Sequence, residues 1–230
     1  MITGPAGIVD DMRAAARAQI VAGLEQNQTP DQIARSLIGL KNRVTGKREG
    51  ATIGLNSRQV ELMLNTEAKL LSGDPALMKE YFRLKTRDKR FDSAVRKAIE
   101  AGRPINAADL GKIMRQLRDR NLQLRAKTIA RNESITAVRA GRHEGFAQLL
   151  ETGRISEGQI ERTWDAAEDD KTRLSHLAME GQKITGLSQP FVSPVTGARL
   201  MYPGDTSLGA PAEETIQCRC FEHIRIRYIR

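Results

Sequence analysis

The chain has 230 residues, of which 40% are hydrophobic and only 4% aromatic. That length can bury one large core or two small ones, but a core so short of rings must be filled by Leu, Ile, Val, Ala and Met, as packed helices commonly do. Two cysteines exclude a disulfide framework and suit a reducing cytoplasm, and no apolar run approaches the roughly 18 residues that span a membrane.

The first residues, M-I-T-G-P-A-G-I-V-D-D-M-R, lack a basic segment followed by an apolar one, so no signal peptide is expected, and residues 1–7 read as a flexible lead-in. Residues 8–26 are Ala-rich, with Ile8, Met12, Ala15, Ile20, Val21 and Leu24 near helical spacing. Thr29 before Pro30 is an N-cap followed by a proline in the first helical position, and the helix it opens runs through Ile33, Leu37 and Leu40. The two helices should pair as a hairpin. Residues 41–56 hold three glycines in a basic, polar context and read as a loop or a short hairpin.

Ser57 is the expected N-cap of a helix through Val60, Met63, Leu64, Leu70 and Leu71, closed by Gly73-Asp74-Pro75. Pro75 opens a short helix through Leu77, Met78 and Tyr81, and residues 91–101 are helical again, stopped by Gly102 and Pro104. Asn106 caps the longest helical pattern, residues 107–150. More than 40 residues in one helix is unusual, so a break is expected near Asn121 or Asn132.

Charge is unevenly spread. The chain carries 37 Lys and Arg against 28 Asp and Glu, a net +9; residues 81–142 hold 17 basic and 6 acidic side chains, which leaves 20 against 22 elsewhere. A basic block on an otherwise balanced chain is the footprint of a polyanion, although solvated helix faces can look the same. The densest run, L-K-T-R-D-K-R, follows Arg83 and makes Arg83, Lys85, Arg87, Lys89 and Arg90 the candidate nucleic-acid contacts.

At Gly153 the composition shifts to Gly, Pro, Ser and Thr and helical period fades, which places a boundary between a helical region, residues 1–152, and a small module, residues 153–230. Residues 160–164 read as a strand, Asp169-Asp170 as the cap of a helix through Thr172, Leu174, His176 and Met179, residues 184–194 as loop, 198–202 as a short strand and 203–211 as an irregular loop. Residues 216–229 alternate as an antiparallel strand, with Ile216, Cys218 and Cys220 on one side and Ile224, Ile226 and Tyr228 continuing the pattern. The fold class is therefore α+β, mostly α: a helical N-terminal region followed by a small mixed α/β C-terminal module with an antiparallel sheet.

That module holds the only tryptophan, both cysteines and two of the three histidines. Cys218 and Cys220, two apart on a strand, share a face. With His176 and Asp169 they are acceptable zinc ligands; the plain alternative is two buried small side chains, a capping aspartate and a satisfied histidine. His223 ranks behind His176, because on a strand it faces the other way. Trp164 reads as the core plug of the module, and Arg173 as the ion-pair partner of Asp169 four residues earlier.

From residue 126 onward the chain resembles the minor head, or head-morphogenesis, proteins of tailed bacteriophages, the family named after the F protein of phage Mu. The segment A-K-T-I-A-R-N-E-S is similar to that family's A-x-x-I-A-R-T-E helix, with Asn132 where threonine is usual. W-D-A-A-E-D-D-K-T-R-L-S-H-L-A-M-E-G matches its W-x4-D-x3-R-x2-H-x4-G pattern at Trp164, Asp169, Arg173, His176 and Gly181, and the terminal C-R-C follows a proline-containing loop. Residues 54–105 look similar to the helical region of Mu-like members, while the first 50 residues add little. The resemblance implies a structural, non-enzymatic head protein. Its expected partners are the portal and other head proteins, with packaged double-stranded DNA as a further contact and no membrane; its expected place is the virion, and the host cytoplasm during assembly. The rival readings are a metal-dependent nuclease or hydrolase, with Asp169 and His176 on a cation and Arg173 on a phosphate, and a general DNA-binding protein.

Overall fold

The structure, a computed structural model, describes residues 5–45 and 48–227, with side chains from residue 12 onward. Its contacts divide the chain into two compact units, residues 1–130 and 131–230.

The first unit is helical. Helix α1 (Pro5–Glu25) and helix α2 (Pro30–Leu37) form the expected hairpin, and Thr29 caps α2 as expected, through a capping box with Gln32. The helix ends before Leu40. Gly39, at φ 71°, turns the chain so closely against Glu49 that a Cβ would stand 2.1 Å from the Glu49 carbonyl oxygen. Leu40 therefore lies in strand β1 (Leu40–Lys41), exposed, and pairs with β2 (Arg48–Glu49) as a short hairpin. Lys41 and Arg48 both reach Asp119, at 2.6 and 3.4 Å.

Helix α3 (Ser57–Leu71) is capped one residue earlier than expected, because the Asn56 side chain accepts from the Gln59 amide and Gln59 answers it. Asp74 caps α4 (Pro75–Lys79), which tightens into a 3-10 turn, Glu80–Arg83. Helix α5 (Asp92–Glu100) follows. Asn106 then caps α6 (Ala107–Glu151) through the Asp109 amide.

Helix α6 runs 45 residues without the expected break. Both asparagines find partners that leave the ladder intact. The Asn121 amide group is buried and donates to the Leu117 carbonyl at 2.8 Å, while Asn132 accepts from the Gln217 backbone amide at 2.9 Å. The apolar residues of the first unit form two clusters, one of Ile20, Ile33, Leu37, Ile53, Leu122 and Ala126, the other of Leu70, Met78, Tyr81, Val95, Ile105 and Ile113. They are aliphatic almost throughout, as the shortage of rings required.

The second unit is built on strand β3 (Ile160–Asp165), which lies between β4 (Lys183–Thr185) and β7 (Phe221–Ile226) in an antiparallel sheet. Alternate residues Ile160, Arg162 and Trp164 point to the buried side. Trp164 is fully buried with Met179, Phe191, Leu200, Cys218 and Cys220. Arg162 is as deeply buried, and it persists there because its guanidinium pairs with Glu222 at 3.0 Å and donates to the carbonyls of Gly186, Met201 and Gln189. Burial pushes the Glu222 carboxyl up, and the Arg162 charge opposes it.

Three expectations need correction here. Residues 184–194 are not all loop: they contain most of β4 and the strand β5 (Phe191–Val192), which pairs with β6 (Arg199–Leu200). Strands of two or three residues are too short to leave a period in sequence. Helix α7 (Leu174–Leu177) is a single turn beginning after Arg173, since Asp169 closes its own turn through Lys171 and Thr172. The last strand begins only at Phe221, after the one-turn helix α8 (Ala212–Thr215). Gln217 is left-handed at φ 57°, and Arg139 of α6 takes the Cys218 and Cys220 carbonyls that a ladder would have used. The expected place of Tyr228 in this pattern lies outside the described residues. Among the described residues no helix is long and apolar enough to cross a membrane.

Candidate metal centre

Helix α7 and the segment before β7 bring three side chains together. His176 on α7 is buried, with its Nδ1 3.6 Å from Cys218 Sγ and 3.3 Å from Cys220 Sγ. Both sulfurs are buried and unoxidised. The three ligand atoms lie within 4.8 Å of one another, so His176, Cys218 and Cys220 could hold a metal ion.

The distances suit sulfur hydrogen bonds and also fit a shared ion. Zinc–sulfur and zinc–nitrogen bonds of about 2.3 and 2.05 Å at a tetrahedral angle separate sulfur from nitrogen by about 3.6 Å. A single imidazole nitrogen offers either one lone pair or one hydrogen, so it satisfies one thiol and not two. Two sulfurs on one nitrogen is the arrangement a shared cation would organise.

The electrostatics agree. Cys218 is drawn below the ordinary thiol range, first by its hydrogen bond with Cys220, then by His176 and the charge of Arg139, against the cost of burial. Cys220 is pushed up by the same bond with Cys218, by burial and by the Cys218 charge. Their interaction thus drives the two thiols apart, one lowered and one raised. The indole N–H of Trp164, in the same cluster, is buried and has no hydrogen-bond partner.

The surroundings hold the imidazole in place. Its ring meets Trp164 edge to face at 5.4 Å. Its far nitrogen, Nε2, lies 2.9 Å from the Oε2 of buried Glu214, a hydrogen-bond separation in which the N–H direction misses the oxygen. Ser175 donates to the same Oε2 at 2.9 Å. Glu214 and Arg139 were missed in sequence. Glu214 stands in a P-A-E-E run that looks like any acidic first turn, and Arg139 is one of many arginines on α6.

The other candidates fall elsewhere. Asp169 is not brought to the cluster: Arg219 grips both of its oxygens and holds its carboxyl well below the usual range. Arg173 donates to the Ile216 carbonyl rather than to Asp169. The Asp169–His176–Arg173 set that a metal-dependent nuclease would use is therefore not assembled. His223 pairs with Asp165 at 2.8 Å on the exposed sheet face. In the first unit, Arg87 is committed to Asp92 at 3.2 Å and Arg90 to Asp88 at 2.6 Å, whereas Arg83, Lys85 and Lys89 are exposed and make no ion pair among the described residues.

A family model described as Phage Mu protein F like protein matches residues 89–222, more than half of the chain. The chain belongs to this family. The match takes in the buried His176, Cys218 and Cys220 and the tryptophan over them, and it starts well before residue 126, inside the basic block. It is a family of phage head proteins, so membership points to head morphogenesis, to other head proteins as partners and to the virion as the site of action. Searches of curated proteins and of solved structures returned no match.

Proposed function

We propose that this Mu F-like chain is a structural minor head protein that acts beside the portal during head assembly in the host cytoplasm, with its C-terminal module pinned by a zinc ion on His176, Cys218 and Cys220. The observation that carries the metal reading is the pair of sulfurs facing one buried imidazole nitrogen at 3.6 and 3.3 Å. Thiolate and imidazole ligands suit zinc, and a buried site on short loop elements is what a structural ion stabilises. In this proposal the helical region, residues 1–152, carries the polyanion contacts and the small module, residues 153–230, the metal.

In this reading packaged DNA meets the exposed cations Arg83, Lys85 and Lys89. Such contacts are blind to sequence and weaken with salt. Replacing all three by alanine should flatten the dependence of log affinity on log salt by about 2.7, at about 0.9 for each lost phosphate contact. A slope unchanged in an electrophoretic titration would remove the DNA part of the proposal.

The assembly role is tested by locating the chain in intact particles. Labelled protein should sit at one vertex with the portal, at low copy. Uniform labelling of the shell, or its absence from purified heads and procapsids, would overturn the placement.

A further inference from the structure

In the first unit, the hairpin of β1 and β2 and the middle of α6 enclose an open cleft of about 760 Å³. Aliphatic side chains line part of it, among them Ile53, Leu55 and Leu122. Four cations, Lys41, Arg48, Arg115 and Arg118, stand around it against one lining carboxylate, Asp119. Lys41 and Arg48 both reach Asp119, at 2.6 and 3.4 Å, so that acid is already answered within the wall. Arg115 and Arg118 lie about one turn apart on α6, are exposed, and form no ion pair among the described residues. Four charges less one leave the cleft with an excess of three positive charges.

A second groove, of about 360 Å³, opens from the first, and the two share Leu55 and Arg118. Its wall is mostly apolar. Val60 and Leu64 stand one turn apart on α3 beside Met63, and Met114 of α6 completes the groove. Val60 is 43% exposed and Leu64 61%. Single exposed aliphatic side chains are ordinary, but a groove of them running into a cation cleft marks an interaction site.

Charge and shape select the occupant. A phosphate chain would satisfy the arginines, yet neither cavity is lined by an aromatic side chain on which a base could stack, and a duplex would leave the aliphatic groove empty. A purely apolar ligand would leave the arginines unanswered. A peptide with aliphatic residues on one side and carboxylates beyond them answers both. A guanidinium grips a carboxylate through two parallel hydrogen bonds, and the apolar face of a segment fills a groove of this kind.

We propose that the joined groove and cleft are a docking site for an acidic amphipathic segment of a partner head protein, with its apolar residues against Val60, Met63 and Leu64 and its carboxylates on Arg115 and Arg118. That the partner is a head protein rests on the reading above. The chemistry of the surface does not, and it uses none of the zinc ligands and none of Arg83, Lys85 and Lys89.

The test titrates the full-length chain into fluorescein-labelled synthetic peptides, read by anisotropy at fixed salt. The probe carries leucines four residues apart followed by a run of glutamates. One control peptide has lysines in place of the glutamates, and another has serines in place of the leucines. The probe should bind at least about tenfold more tightly than either control. Arg118→Glu, at the junction of the two cavities, and Leu64→Asp should each weaken it about tenfold or more, the first because like charges then meet where opposite ones did. Both side chains are exposed, so both variants should fold; circular dichroism checks this, and Arg115→Glu takes the place of either that does not. Replacing Arg83, Lys85 and Lys89 by alanine should leave the affinity for the probe unchanged, and a loss there would assign the binding to general charge and overturn the site. Equal binding of the three peptides, wild-type affinity in either cleft variant, or tighter binding of oligothymidylate that Arg118→Glu abolishes would also overturn it. Binding of the probe by a chain that is absent from purified heads would uphold the docking surface and overturn only the identity of its partner.

Discussion

Removing Cys218, a ligand of the proposed zinc, gives the most direct prediction. If zinc occupies the site at 100 times its dissociation constant, it stabilises the folded second unit by about 2.7 kcal/mol through mass action alone. That unit, residues 131–230, is 100 residues long. A domain of this size shifts by about 4–8 °C for each kcal/mol, so chelation should lower its melting temperature by about 11–22 °C. Cys218→Ser loses one of the two thiolates that face Nδ1 of His176. It should melt at the chelated wild-type temperature, whether or not zinc is supplied. Hydrogen exchange localises the effect: protection should fall in residues 160–165 and 221–226 and persist in residues 30–37. Asp169→Asn is the control, because Arg219 and not the cluster holds Asp169, and it should bind zinc as the wild type does. A wild type whose melting profile is the same with zinc and after chelation would refute the reasoning, leaving two buried thiols and a satisfied histidine.

Two other substitutions probe the units separately. Trp164→Ala should cost about 3–5 kcal/mol, the usual range for emptying a fully buried aromatic site, and it removes edge-to-face contacts with His176 and Phe191 as well; chemical denaturation measures it, and a loss below 1 kcal/mol would show that the ring is not the plug of this core. Asp88 is held at about 2, chiefly by Arg90, against an ordinary 3.8. A carboxyl lowered on folding contributes stability that is fully present above its unfolded value and lost as pH falls through the folded one. Asp88→Asn keeps the cap on the Arg90 amide but not the charge, so it should be less stable than wild type at pH 6 and converge with it near pH 2. A stability gap that does not narrow between pH 4 and pH 2 would contradict that assignment.

The helices were legible because their signals are local. Thr29 with Pro30, Asn106 with Asp109, and aliphatic residues three and four apart each act within one turn, and the structure keeps them. The errors arose where a distant partner overrides a local rule. Asn121 reads as a helix breaker, yet α6 runs through it because its side chain returns to Leu117 while Thr86 and Gln59 meet it from elsewhere in the unit. Ile216 to Cys220 alternate like a strand, yet Arg139, some eighty residues earlier, claims the carbonyls of Cys218 and Cys220.

The same division runs through the site. Sequence named His176, Cys218 and Cys220 by residue type, and the structure brings them together, though not by the route expected. A strand would have placed both thiols on one face by its pleat. They converge instead because the chain is bent at Gln217 and clamped by Arg139, so the cysteines stand on a segment whose backbone hydrogen bonds go to a side chain. Such a segment has little ladder of its own to hold it. The interactions that fix it are the Arg139 clamp, the Trp164 core and whatever joins the two sulfurs to His176. That is why a cation at this point would bear on the fold of the whole module.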